Sequence, residues 1–262
     1  MASNDSIKKT LTVALSLCIV CSVVVSTAAV ALKPTQQQNQ ELDRKTNILQ
    51  VANLLEPGQN VEQQFGKITP RVVDLRSGEY ADDIDPDRFD QIASTQDPAM
   101  SRTLGGSQDR AGIGGRVENY ATIYLVGDDP ENPDEIILPV RGQGLWSLML
   151  GYLALEGDGN TVVGLSFYEQ GETPGLGGEV DNPRWKSLWP GKEIYPEDSM
   201  EPAIRLVKGG VGEGTPDAEH KVDALSGATL TSTGVTNLLQ FWMGDEGFAN
   251  YLARFRDTSQ GA

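Results

Sequence analysis

The run Asp223-Ala224-Leu225-Ser226-Gly227-Ala228-Thr229-Leu230-Thr231-Ser232 crowds small and hydroxylated residues into a tight turn just before an apolar, helix-like stretch. Such a turn exposes one threonine hydroxyl, that of Thr229, and places a helix N-terminus beside it. Backbone amides and the helix dipole favour a phosphate there. A threonine hydroxyl is a poor nucleophile at neutral pH without a base or a metal. No His, Cys or Lys adjoins Thr229, and the only histidine, His220, lies nine residues upstream. The segment therefore reads as an acceptor acted on by another enzyme, not as a self-acting nucleophile. Taken alone, the run is first of all helix-cap chemistry. Two further segments change that weighting.

Gly171-Glu172-Thr173-Pro174-Gly175-Leu176-Gly177 is a loop whose glycines and proline fix the backbone for close approach to a flat ring. A tight turn after a strand explains the glycines equally well, but it explains Glu172 less readily. Arg141-Gly142-Gln143-Gly144-Leu145-Trp146-Ser147 places an aromatic after a glycine-rich bend. Trp146 would pack on such a ring and exclude water, or it is a core tryptophan. Lys208, in Val207-Lys208-Gly209, is a candidate cation for a phosphate and equally a solvated lysine.

Together these segments, in this order behind one N-terminal apolar run, resemble the C subunit of the Na+-translocating NADH:quinone reductase. They also resemble the related G subunit of the Rnf electron-transport complex. In that family the threonine of the Ser-Gly-Ala-Thr run carries FMN through a phosphoester bond, and here that residue is Thr229. The long region before residue 115 and the Leu-Thr-Ser after the motif are closer to the reductase protein. The resemblance implies a Mg2+-dependent flavin transferase that moves FMN from FAD onto Thr229. It implies a cofactor-binding set of Leu145, Trp146, Glu172, Thr173, Leu176, Gly177, Lys208, Ser226, Gly227, Ala228, Leu230 and Thr231. It assigns no catalytic residue and no metal ligand to this chain. The implied role is a one-electron carrier that passes electrons toward another flavin and finally ubiquinone. The implied partners are the other subunits of a membrane-bound reductase, to which NADH oxidation and Na+ transport belong. The alternatives are the Rnf counterpart, or a membrane-tethered, flavin-free binding or scaffold domain whose Ser-Gly-Ala-Thr is only a cap.

The elements that must position these residues begin in the membrane. Thr10 to Leu32 is uncharged, flanked by Lys8, Lys9 and Lys33, and at ~1.5 Å per residue it spans a ~30 Å hydrocarbon core. Ala29-Val30-Ala31 has the form of a cleavage site, but the run is longer than a usual signal core, which favours an uncleaved anchor. The lysine count does not set the orientation. A short head with two lysines and the resemblance both place the following domain outside the cytoplasm, on the periplasmic side of a bacterial inner membrane.

Charge and cysteine usage exclude several classes. The net charge of −16 repels nucleic acid and anionic lipid headgroups. Both cysteines, Cys18 and Cys21, lie in the apolar run, so the remainder can hold no disulfide, zinc-thiolate site or cysteine-ligated cluster.

The expected architecture is α+β, a single transmembrane helix followed by a soluble FMN-binding domain with a mostly antiparallel sheet. Its divisions are a tail at 1–9, the membrane helix at 10–32, and an extracytoplasmic domain at 33–262. That domain has its core at about 117–262 and an irregular excursion at about 75–115. Pro34 to Gln40 reads as a linker, Glu41 to Leu55 as a helix ended by Pro57-Gly58, and Val61 to Ile68 as a weaker helix. Strands are expected over 120–126, 135–140, 148–155, 161–169 and 203–207, and helices over 233–243 and 246–255.

Overall fold

A computed structural model describes residues 6–56 and 58–259, and the chain divides into compact units at 1–45 and 46–262. The first unit is helical from Ile7 onward, in α1 (Ile7–Val51). The Thr10–Leu32 stretch of α1 is exposed on every side and is long and apolar enough to cross a membrane. A helix that is apolar all round and unburied by protein is at home in lipid. The tract at 34–40, expected as a linker, is helical instead. Pro34 removes one amide from the ladder, but the Gln, Glu and Leu that follow are good helix formers. α1 ends at Val51, with Asn53 in the left-handed region (φ 54°) and the Leu54 amide donating to the Leu49 carbonyl at 2.9 Å. Pro57, expected to end the helix, lies outside the described residues.

The second unit is built on a six-stranded sheet of order β2-β1-β5-β6-β7-β8, antiparallel throughout. Its strands are β1 (Ile68–Asp74), β2 (Glu79–Tyr80), β5 (Tyr120–Val126), β6 (Glu135–Gln143), β7 (Leu148–Glu156) and β8 (Val162–Glu169). β3 (Ser101–Thr103) and β4 (Arg116–Glu118) form a small separate pair, and β9 (Arg205–Val207) pairs in parallel with β10 (Lys221–Asp223). α2 (Val61–Phe65), α3 (Gln91–Ser94) and α4 (Pro183–Lys186) are short, while α5 (Thr229–Trp242) and α6 (Ala249–Ser259) are the long helices.

Strand alternation divides the buried residues between two faces. Ile123, Leu125, Ile136, Leu138, Leu153 and Leu155 point to one core, which Val235, Leu238, Leu239 and Trp242 of α5 cover. Tyr124, Ile137, Tyr152 and Ala154 point to the other, where they meet Ile48, Leu49 and Val51 from the end of α1 and Ala52 just after it. Each fully buried aliphatic side chain contributes about 1.5–3 kcal/mol.

β1 has no counterpart among the expected strands, and it brings residues upstream of 117 into the sheet. The excursion at 75–115 is tied down by long-range contacts. Arg102 donates to the Glu246 carbonyl at 2.6 Å, Gln108 to the Glu246 carboxylate at 2.6 Å and Arg110 to Gln240 at 2.9 Å. Leu75, Leu104 and Ala111 join the main core.

Two contacts fix α5 on β6, and so fix the start of α5 near the end of that strand. A Cβ at Gly142 would lie 2.8 Å from the Leu238 Cβ, and one at Gly234 would lie 2.4 Å from the Gln143 carbonyl oxygen. Only glycine allows the helix to lie this close. Trp242 Nε1 donates to the Arg141 carbonyl at 2.7 Å, and the Arg141 guanidinium stacks 5.0 Å from the Trp242 ring. That guanidinium forms a bidentate pair with buried Glu118, both bonds 2.5 Å. Replacing Gly234 with Val should therefore destabilise the second unit by about 1–3 kcal/mol through overpacking. Urea unfolding followed by the fluorescence of the buried tryptophans checks this, and an unchanged midpoint would contradict the close approach.

Candidate functional site

β6 leaves the sheet at Gln143 and β7 begins at Leu148, so Gly144 to Ser147 form the turn between them. The loop at 171–177 follows β8. The segment from Asp223 to Ala228 joins β10 to α5, whose first residue is Thr229. The three stretches meet at one side chain. Glu172 is 5% exposed, and its Oε1 accepts from the Trp146 amide at 2.9 Å and the Ser147 amide at 3.4 Å. Its Oε2 accepts from the Thr231 hydroxyl at 2.5 Å. Burial raises the Glu172 pKa, but the Thr231 hydroxyl and the amides of Trp146, Leu145 and Ser147 outweigh it and hold the carboxyl below its ordinary range.

The glycines of the site follow from this convergence. A Cβ at Gly144 would lie 2.5 Å from Glu172 Oε1, and one at Gly177 would lie 2.5 Å from Thr231 Oγ1 and 2.6 Å from Glu172 Oε2. Gly227 (φ 74°) sits against Leu176, whose Cδ2 a Cβ would meet at 3.1 Å. Gly171 donates its amide to Ser147 Oγ at 2.7 Å, a second tie between the two loops.

Thr229 is exposed at the first turn of α5. Its N-cap, Ala228, offers no side-chain acceptor to that turn. The nearby hydroxyl that could cap faces elsewhere, because Ser232 Oγ donates to the Ala228 carbonyl at 2.9 Å and accepts from the Leu225 amide at 3.0 Å. The dipole end of a 14-residue helix is thus presented beside the Thr229 hydroxyl. Trp146 is 69% exposed and Leu230 61%, and Leu145 and Leu176 are exposed as well. Apolar side chains left in water around a helix N-terminus suit a flat aromatic ring with a phosphate tail.

The expected site residues divide by position. Leu145, Trp146, Thr173, Leu176, Ser226, Gly227, Thr229 and Leu230 are exposed, while Gly177, Ala228, Glu172 and Thr231 are buried. Glu172 and Thr231 turn their polar atoms to one another. Lys208 is exposed just after β9, whose Val207 pairs with Asp223 of β10, and Asp223 Oδ1 accepts from the Val211 amide at 2.5 Å. Ser147 and Gly144 belong to the site although they lie outside the binding set that the resemblance implies. The Gly-x-Gly spacing hinted at Gly144, and nothing in the sequence marked Ser147.

Because the Glu172 pKa is lowered on folding, its contribution to stability is complete above the unfolded carboxyl value of about 4.3. That contribution is lost as the pH falls through the lower folded value. The parent should exceed Glu172→Gln in stability by about 1.5–3 kcal/mol at neutral pH. Urea midpoints from pH 7 to pH 3 check this, and a gap that stays constant into acid would contradict an ionised clamp.

Comparison with known proteins accords with this geometry. A family model described as FMN-binding domain matches residues 144–244, which include all three converging stretches. The C subunit of the Na+-translocating NADH-quinone reductase of Pseudomonas aeruginosa is 51% identical over 260 residues, covering 98% of each chain. That of Vibrio anguillarum is 48% identical, again with 98% of each chain covered. The crystal structure of Shewanella oneidensis NqrC matches with a TM-score of 0.73 at 37% identity, over 85% of this chain and 99% of that one. The corresponding protein from Parabacteroides distasonis, at 24% identity and a TM-score of 0.63 over 86% of this chain and 96% of that one, shares the fold. The likeness read from the three motifs is thus met over nearly the full length, and the chain belongs to the family of NqrC, the C subunit of the Na+-translocating NADH-quinone reductase.

Proposed function

We propose that this chain is the flavin-carrying electron-transfer subunit of a sodium-translocating NADH:quinone oxidoreductase, relaying electrons through an FMN joined by a phosphoester to Thr229. The observation that carries this reading is an exposed threonine hydroxyl at a helix N-terminus without a side-chain cap, in a site ringed by exposed Leu145, Trp146, Leu176 and Leu230. The family membership and the FMN-binding domain support the cofactor.

In the attachment step Thr229 Oγ loses its proton and forms a bond to phosphorus. The pyrophosphate bond of FAD breaks, and AMP leaves. No base adjoins Thr229 in the sequence, so a flavin transferase supplies the activation. The small residues Gly227 and Ala228 leave room for that enzyme. Once attached, the phosphodiester keeps one negative charge, which the α5 dipole and Lys208 stabilise. Thr173 and neighbouring main-chain groups meet the polar edge of the ring, and Trp146 and Leu176 cover it from water.

The chain works as part of a membrane-bound complex that also oxidises NADH, reduces ubiquinone and moves sodium. Residues 10–32 span the bacterial inner membrane once, residues 1–9 stay inside, and the domain at 33–262 stands on the periplasmic side.

Thr229→Ala should abolish covalent flavin and leave the fold intact, because the Thr229 methyl lies at an exposed turn. Parent and variant, each produced with the transferase, are compared by flavin fluorescence in a denaturing gel and by circular dichroism. A fluorescent band in the variant would sink the assignment and point to Thr231 or Ser232. The parent made without the transferase should be colourless.

A further inference from the structure

We propose that Glu172, beyond fastening the site together, is a fixed negative charge behind the flavin that opposes the uptake of electron charge by the ring. The proposal rests on the functional reading above. Its basis is the placement of the carboxylate. Oε2 is 2.5 Å from Thr231 Oγ1, two residues along the first turn of α5 from Thr229. Oε1 is 2.9 Å from the amide of Trp146, whose exposed ring is part of the apolar surround. The charge is therefore held between two of the segments that carry the ring's neighbours, and it is shielded from water, Glu172 being 5% exposed.

Its partners leave that charge uncancelled. All are neutral donors, a hydroxyl and backbone amides, and none is a Lys or an Arg. Neutral donors keep the carboxylate ionised and spread its charge, but the net unit charge remains. Gly144 and Gly177 leave room for the carboxylate to lie directly against the 144–147 turn and against Thr231. An electron added to a ring on this surface brings one more negative charge unless a proton follows it. Two like charges repel more strongly when one of them is shielded from water than when both are in bulk solvent. Glu172 thus shifts the equilibrium toward the oxidised flavin and favours a proton accompanying the electron. Glu172 is a positioning and electrostatic residue, not one that transfers electrons.

The test uses the full chain in detergent, loaded with flavin by the transferase and checked for covalent flavin in a denaturing gel. Redox titration with dithionite gives the midpoint potential, and its pH dependence gives the protons taken up. Glu172→Gln keeps an acceptor oxygen and removes the charge. Thr231→Val keeps the charge and removes one hydrogen bond. At pH 7 the Gln variant should favour reduction about tenfold more than the parent, about 59 mV for one electron, and should take up fewer protons per electron. The Val variant should move the other way or not at all. A site merely loosened by substitution would shift both variants in the same direction, which overturns the proposal, as does an unchanged Gln variant. Should the Gln variant fail to load, Thr231→Val decides alone: a shift toward easier reduction overturns the proposal, and no shift or the opposite shift supports it. Absence of flavin from the loaded parent would instead defeat the functional reading itself.

Discussion

The site depends on one buried carboxylate. Three stretches that are distant in sequence are joined at Glu172, which accepts from the Trp146 amide on one side and the Thr231 hydroxyl on the other. A buried charge is tolerated only when its oxygens are hydrogen-bonded, and here each oxygen is. The same requirement explains the glycines at 144 and 177, where any side chain would collide with the carboxylate. Preorganisation follows. With its supports engaged inward, the first turn of α5 presents Thr229 and a ring of apolar side chains to solvent before any cofactor arrives.

The scaffold delivers those stretches by equally local means. Glycines at 142 and 234 let α5 lie directly on β6, so the helix start and the strand end share one edge of the domain. The buried Arg141–Glu118 pair anchors that strand just before it turns into the site. Breaking such a pair is costly because the remaining charge is left uncompensated. The sheet is covered on both faces, by α5 on one and by the end of α1 on the other.

Much of this is legible in the residues. The expected strands at 120–126, 135–140, 148–155 and 161–169 correspond to β5, β6, β7 and β8, with β6 running on through 141–143 of the expected glycine-rich bend, and the Ser-Gly-Ala-Thr turn marks the helix start beside it. β1 is hidden because Pro70 and Arg71 interrupt its apolar pattern, although both positions fit an antiparallel pairing with β5. The tract at 34–40 has the look of a linker because of Pro34 and the glutamines, while the lengthy helix around them carries the backbone through. α5 begins at Thr229, four residues before the expected 233, because its hydroxyl-rich first turn lacks apolar periodicity. Glu172 stands out in its loop, but its role as a clamp between the stretches is not legible. Its partners lie 26 and 59 residues away, and only the folded sheet brings them within bonding distance.

The role proposed for this assembled turn is to hold a flavin at one hydroxyl. Tandem mass spectrometry of the tryptic peptide spanning 222–254, from protein matured in cells that contain the transferase, tests it most directly. The expected result is an added mass of FMN less one water, localised to Thr229. An unmodified peptide, or the same mass on Ser226, Thr231 or Thr233, would contradict it.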